Sequence, residues 1–163
     1  MSSKKIGTKF EREFARDMNA RLVPGSGCLP FAKADVIGQV FLTECKASTT
    51  GSVRVPLEWI NKIMFHAKHH ERLWSLAVQP RQRALDKYLV ITDIFDEIEY
   101  TDAIPLPVMN GKSVHSFLVT PELANDEWLA VRYLYNGGEF SFSLLGWKEF
   151  QDLDEKIREG KEL

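Results

Sequence analysis

The chain has 163 residues, 44% hydrophobic and 27% charged, with a formal net charge of −2. That suits one domain with a packed core and excludes global disorder. No apolar run approaches the ~20 residues that cross a bilayer, the start MSSKKIGTKFER lacks the apolar segment of a signal peptide, and the two cysteines, Cys28 and Cys45, form no CxxC pair.

These features predict a cytoplasmic protein with no membrane partner, disulfide framework or zinc knuckle. The charge is unevenly distributed. Residues 1–90 carry 15 Lys and Arg against 8 Asp and Glu, and residues 91–163 carry 6 against 15. A basic half followed by an acidic half points to a polyanion-binding face in the first.

Phe10, Phe14, Met18 and Leu22 recur every four residues, which predicts a helix over 8–21. Thr8 stands as its N-cap, with Glu11 completing a capping box. VPGSG, residues 23–27, reads as a loop. Residues 34–37 and 40–47 read as a hairpin turning at Gly38-Gln39. TTGSVR reads as a loop, and Pro56 opens a second helix, about 56–72, with Leu57, Ile60, Ile63, Met64 and Ala67 at helical spacing. Strands are expected at 73–78 and 87–94, with Pro105 and Pro107 marking an exposed loop. VHSFLV, WLAVRYLY and EFSFSLL read as further strands, the last two joined as a hairpin at Asn136-Gly137-Gly138. WKEFQDLDEKIREG closes the pattern as an acidic helix stopped by Gly160. Residues 1–80 thus read α-β-β-α-β, and 81–163 as an extension of the same domain that lengthens the sheet.

The hairpin KADVIGQVFLTECKAS carries charges inside apolar runs. Leu42, Glu44 and Lys46 share one strand face. A Gly38-Gln39 turn pairs Asp35 with Leu42, which makes Asp35 and Glu44 diagonal neighbours on that face, about 7–8 Å apart. Two carboxylates so placed repel unless a cation lies between them, and Mg²⁺ takes one or two carboxylates plus phosphate and water. Lys46 would face the same phosphate as a point charge. Phosphodiester hydrolysis needs such a set, because the metal activates water and neutralises developing charge. The plainer reading is an edge strand with a solvated Glu44–Lys46 pair. On the helical wheel Glu11 falls in the apolar arc with Phe14, Ala15, Met18 and Leu22, whereas Glu13 faces solvent. A glutamate there is costly without a partner, and a shared metal would supply one.

With KKIGTKFEREF, PGSG, KADV and TECKAS, the sequence resembles the PD-(D/E)xK nuclease superfamily, and within it the archaeal-type Holliday junction resolvases also carried by phages. Ala34 stands where the motif has its proline. The resemblance covers about residues 4–80 and implies a restriction-endonuclease-like α/β core, a central mixed sheet flanked by helices, with residues 81–163 as a strand and helix extension. It implies that Glu11, Asp35 and Glu44 ligate Mg²⁺, with Mn²⁺ as a substitute, and that Lys46 and Ser26 complete the catalytic set. Gly25 and Gly27 would let backbone approach a phosphate. Glu58 corresponds to an acid or amide near the family's active site. The family acts as a homodimer that nicks both strands of a four-way junction symmetrically.

Lys4, Lys5, Lys9, Arg12, Arg16, Lys33, Arg54, Lys62 and Lys68 are candidate phosphate contacts, Lys4 and Lys5 on a mobile arm before the helix. His66, His69 and His70 read as surface residues rather than a zinc site. Cys45 reads as a small core residue. The aromatics Phe95, Trp128, Tyr133, Tyr135, Phe140, Phe142 and Trp147 suit core packing better than base stacking. The expected function is a Mg²⁺-dependent endonuclease for branched DNA in a bacterial, archaeal or phage-infected cell, with the acidic half lying away from DNA and either widening the dimer interface or contacting a protein partner. The alternatives are a flap, branched-DNA or restriction-type nuclease of the same superfamily, or a DNA-binding protein whose nuclease site has decayed.

Overall fold

Helix α1 (Ser3–Asp17) buries Phe10, Phe14 and Ala15 on one face and leaves Lys4, Lys5, Lys9, Arg12 and Arg16 exposed on the other. The computed structural model describes residues 3–24, 34–80, 88–93, 103–105, 116–120, 128–135 and 138–160. The helix begins five residues before the expected cap, so Thr8 lies inside it and caps nothing, and Lys4 and Lys5 belong to its first turns rather than to an arm. It also ends sooner. Asn19 takes a left-handed φ of 49°, and the Ala20 N–H closes onto the Ala15 carbonyl at 2.8 Å. Asn tolerates that conformation better than most side chains and so stops a helix cleanly. Leu22 therefore sits on a strand.

Strands β1 (Arg21–Leu22), β2 (Val36–Ile37) and β3 (Phe41–Ala47) follow, successive pairs antiparallel. The hairpin register differs from the expected one by two residues. Val36 faces Thr43 and Ile37 faces Leu42, and the Gly38 N–H bonds the Phe41 carbonyl at 2.9 Å. The turn is therefore Gln39-Val40. An even slip leaves the side chains of β2 and β3 on their predicted faces, because strand periodicity is two.

TTGSVR is not all loop: β4 (Val53–Pro56) pairs antiparallel with β8 (Ser116–Val119), a partner sixty residues on. Pro56 is the N-cap of α2 (Leu57–His69) rather than its first helical residue. Helix α2 buries Leu57, Ile60, Ile63 and Ala67, the three larger side chains each worth roughly 1.5–3 kcal/mol of apolar transfer. It forms the crossover from β3 to β5 (Leu73–Gln79), which parallel pairing requires. The interior of β5 is buried on both faces, as expected for a strand between two helical layers.

The sheet continues through β6 (Leu89–Thr92), β10 (Gly138–Gly146), β9 (Trp128–Tyr135) and β7 (Ala103–Pro105). Pro105 ends a strand opposite Arg132 instead of marking a loop, while Pro107 lies outside the described residues. The β9–β10 hairpin forms as expected, with Tyr135 facing Gly138. Helix α3 (Trp147–Arg158) ends near Gly160, whose φ is +63°.

The architecture is mixed α/β, a central mixed sheet flanked by helices, in the order β1-β2-β3-β5-β6-β10-β9-β7 among the described residues. Two apolar clusters cover its faces. One joins α2, β4 and β8 to Leu42, Trp74, Leu76, Ile91 and Phe142. The other joins α1 and α3 to Val36, Phe41, Cys45, Ala77, Val90 and Leu145. Rings bind the second together: Phe14 lies 5.6 Å from Trp147 and from Tyr88, and Phe41 lies 4.8 Å from Phe150. Phe142 and Trp147 are thus core residues, as predicted; the side chains of Phe95, Trp128, Tyr133, Tyr135 and Phe140 lie outside the description. No helix among the described residues is long and apolar enough to cross a membrane.

Candidate active site

Asp35 stands where the β2–β3 ladder breaks its alternation. Ala34 packs into the cluster on the α2 side of the sheet, yet Val36, two residues on, packs on the α1 side. The Asp35 N–H bonds the Thr43 carbonyl at 3.0 Å, and its Oδ2 accepts the Cys45 N–H at 2.8 Å. A carboxylate therefore takes the place of a strand carbonyl. Such an irregularity re-aims a side chain without ending the pairing. Thr43 itself is held to β5 by a buried 2.7 Å hydrogen bond with Ser75, which fixes the strand from which Glu44 projects.

Glu44 and Lys46 project from β3 on the α2 side, alternating with buried Thr43 and Cys45. The Lys46 ammonium donates to Glu44 Oε1 and stands 5.2 Å from the ring centroid of Trp59 on α2. Glu11 comes from α1 on the other side of the sheet. Gly7, one turn earlier, leaves room beside it: a β-carbon there would lie 3.8 Å from Glu11 Oε1.

The electrostatics show that these residues converge. Burial pushes the Glu11 carboxyl above its ordinary value; the Asp35 and Glu44 charges push the same way, and Lys46 and Arg12 oppose them. Burial likewise raises Glu44, with Asp35 adding to it and Lys46 and Lys62 opposing. The Cys45 thiol is pushed up by burial and then by all three acids, so it is an inert neutral core group. Helix α1, the bend before β2 and strand β3 thus bring three carboxylates and one ammonium near enough to act on one another.

Among the described residues, no three acidic, histidine or cysteine side chains already form a metal cage. Glu44 is turned to Lys46, and Asp35 to the Cys45 N–H. The donor chemistry fits a hard divalent cation: oxygen donors, partly buried, with Glu11 and Glu44 raised by burial and by neighbouring acid charge and therefore short of positive charge. Glu11, Asp35 and Glu44 would hold such an ion once Glu44 exchanged its partner.

The other predicted residues are spread more widely. Lys62 lies close enough to act on Glu44. Lys4, Lys5, Lys9 and Arg12 line a shallow basic hollow on α1 with Thr8 and Glu13, where Lys9 pairs with Glu13 at 3.6 Å. Arg54 is on β4, bonded to Ser116 at 3.2 Å; Glu58 and Lys68 are exposed on α2. Gly25, Ser26, Gly27 and Lys33 lie outside the described residues. His69 and His70 are exposed and His66 is half-buried, with no metal cluster among the described residues. Sequence reasoning missed Trp59. The available signal was that Lys46 shares its face with Leu42, the face a crossover helix must cover.

No protein-family model matches the chain, and no curated protein matches it. Among solved structures it is similar to the Holliday junction resolvase Hjc of Archaeoglobus fulgidus, an archaeal hyperthermophile, at 20% identity and a TM-score of 0.41, over 50% of this chain and 72% of that one.

Proposed function

We propose that the chain is a Mg²⁺-dependent DNA endonuclease selective for branched DNA, with the four-way junction as its substrate and the homodimer as its working form. The observation that carries this reading is the convergence of Glu11, Asp35 and Glu44, from three separate elements, around Lys46. Partly buried Glu11 and Glu44, raised by burial and then by the Asp35 charge, make no sense as a stabilising cluster and good sense as a cation site facing a phosphodiester. A bound Mg²⁺, or Mn²⁺ in its place, would activate water and offset charge on the phosphate.

The chain's own residues supply the rest. Lys46 presents an ammonium to the developing negative charge at phosphorus. Lys62 adds positive potential beside Glu44. The exposed cations of α1 offer sequence-independent contacts to a phosphate backbone. Ser26, Gly25, Gly27 and Lys33 are proposed to complete the strand-binding loop, and Arg54 a further phosphate contact. A homodimer would place two such sites about a two-fold axis, which suits paired nicks across a symmetric junction.

The test is cleavage of labelled four-way junction, flap, duplex and single-stranded DNA by wild type and Asp35→Asn, in Mg²⁺ or EDTA. Symmetric nicks in the junction, lost with EDTA and in the variant, support the reading. Equal cutting of duplex or flap would keep the nuclease and remove the junction preference. Binding without cutting in any divalent metal would overturn it in favour of a DNA-binding protein.

A further inference from the structure

Lys46 has two partners of different chemical kind. Its ammonium donates to Glu44 Oε1 and also lies 5.2 Å from the centre of the Trp59 ring. Both contacts are set by the fold. Glu44 and Lys46 share the α2-facing side of β3, and Trp59 sits in the first turn of α2, half-buried against the core beneath that helix. The indole is packed against that core by contacts that do not involve the ammonium.

The two partners respond differently to a cation. Glu44 is an oxygen donor that a divalent ion also needs, and the oxygen now engaged with Lys46 would not serve both at full strength. The ring face is no ligand for a hydrated hard dication, yet it attracts an ammonium. Loss of the ion pair would otherwise free a long side chain with many rotamers. An ammonium must instead stay within reach of the phosphate to stabilise it.

We propose that Trp59 is a positioning residue that retains Lys46 in the site when Glu44 exchanges the ammonium for a divalent cation. The inference rests on the nuclease reading for its consequence, but the contact itself can be read without any DNA. Trp59 touches no reacting atom; it acts through Lys46.

The experiment follows the Lys46 side-chain CεH₂ signal by NMR, assigned by its loss in Lys46→Met, through a Mg²⁺ titration of wild type, Trp59→Phe and Trp59→Leu. An ammonium near an indole face carries neighbouring protons shifted upfield by the ring. The expected result is an upfield signal that persists as Mg²⁺ is added to wild type, a smaller shift in the Phe variant and none in the Leu variant. Single-turnover junction cleavage should fall in the same order, by about 2- to 30-fold for Trp59→Leu, with the Phe variant between. A packing loss alone could give the same order of cleavage, so the ring shift of the Lys46 signal decides: a purely structural role would not tie the fall in cleavage to loss of that shift.

Wild-type cleavage retained in full by Trp59→Leu would overturn the proposal. So would a wild-type signal that returns to an ordinary position once Mg²⁺ is added, or one unaltered in Trp59→Leu. If wild type cuts no DNA while the signal stays shifted through the titration and collapses in the Leu variant, the positioning stands and the nuclease reading falls.

Discussion

The carboxylate of Asp35 accepts the backbone N–H of Cys45 at 2.8 Å, so one side chain both tethers β3 and faces the acid cluster. The two roles separate by substitution. Asp35→Asn keeps an oxygen acceptor and loses the charge; Asp35→Ala loses both. Cleavage should fall by roughly 1,000-fold or more in either. Only the alanine leaves the N–H of a buried residue unpaired, at a cost of about 1–3 kcal/mol in urea unfolding. Equal stability of the two variants would show that the hydrogen bond is not holding the strand.

Glu11 and Glu44 both have carboxyls raised above the ordinary 4.5 by burial and by neighbouring acids. The folded state therefore binds more protons than the unfolded chain between the ordinary and the raised values. The sign follows: their favourable contribution is complete below pH 4.5 and is lost as pH rises through the raised values. Metal-free protein should melt at a lower temperature as pH climbs out of that window. Glu11→Gln should flatten the dependence and raise the Tm of metal-free protein at neutral pH. Mg²⁺ should raise the Tm of wild type more than that of the variant, as differential scanning calorimetry would show.

Phe14 is fully buried and its ring meets those of Phe10, Tyr88, Trp147 and Phe150. Phe14→Ala should cost about 3–5 kcal/mol, a large share of the ~5–15 kcal/mol that holds a typical domain. Tyr88, Trp147 and Phe150 lie beyond residue 80, as does β6, which covers the open edge of β5. A chain ending at residue 80 should therefore show no cooperative urea transition. A sharp transition from that fragment would contradict the packing described for α1.

Gly7 lies within α1, and a β-carbon there meets Glu11 Oε1 at 3.8 Å, an ordinary contact. Gly7→Ala should stabilise the helix by about 0.5–1 kcal/mol, a Tm rise of about 1–4 °C. No gain would mean that the helix starts nearer Thr8, where the sequence pattern had placed it.

What the sequence revealed and what it hid have physical causes. The faces of Leu42, Glu44, Cys45 and Lys46 were legible because alternation survives an even register slip. The turn itself was not, since Gly38-Gln39 and Gln39-Val40 both close a short hairpin. Asp35 was legible as an acid in an apolar run, but the break that aims it was not, because it depends on Ala34 and Val36 choosing opposite clusters. The start of α1 was hidden because its first turns carry no apolar period. Strand β4 was hidden because its partner, Ser116–Val119, is remote in the chain. Trp59 read as one more residue of an amphipathic helix until α2 was laid over β3.

The acids proposed to bind metal are all encoded within the first 46 residues, yet the helix that carries Glu11 is propped by Trp147 and Phe150 near the other end of the described chain. At about 5–20 residues per second, a ribosome needs on the order of 5–20 s to travel between the two. Through that interval a nascent chain possesses all three acids without the rings that prop α1. The order of synthesis thus sets a delay between making the proposed ligands and fixing the helix that carries one of them.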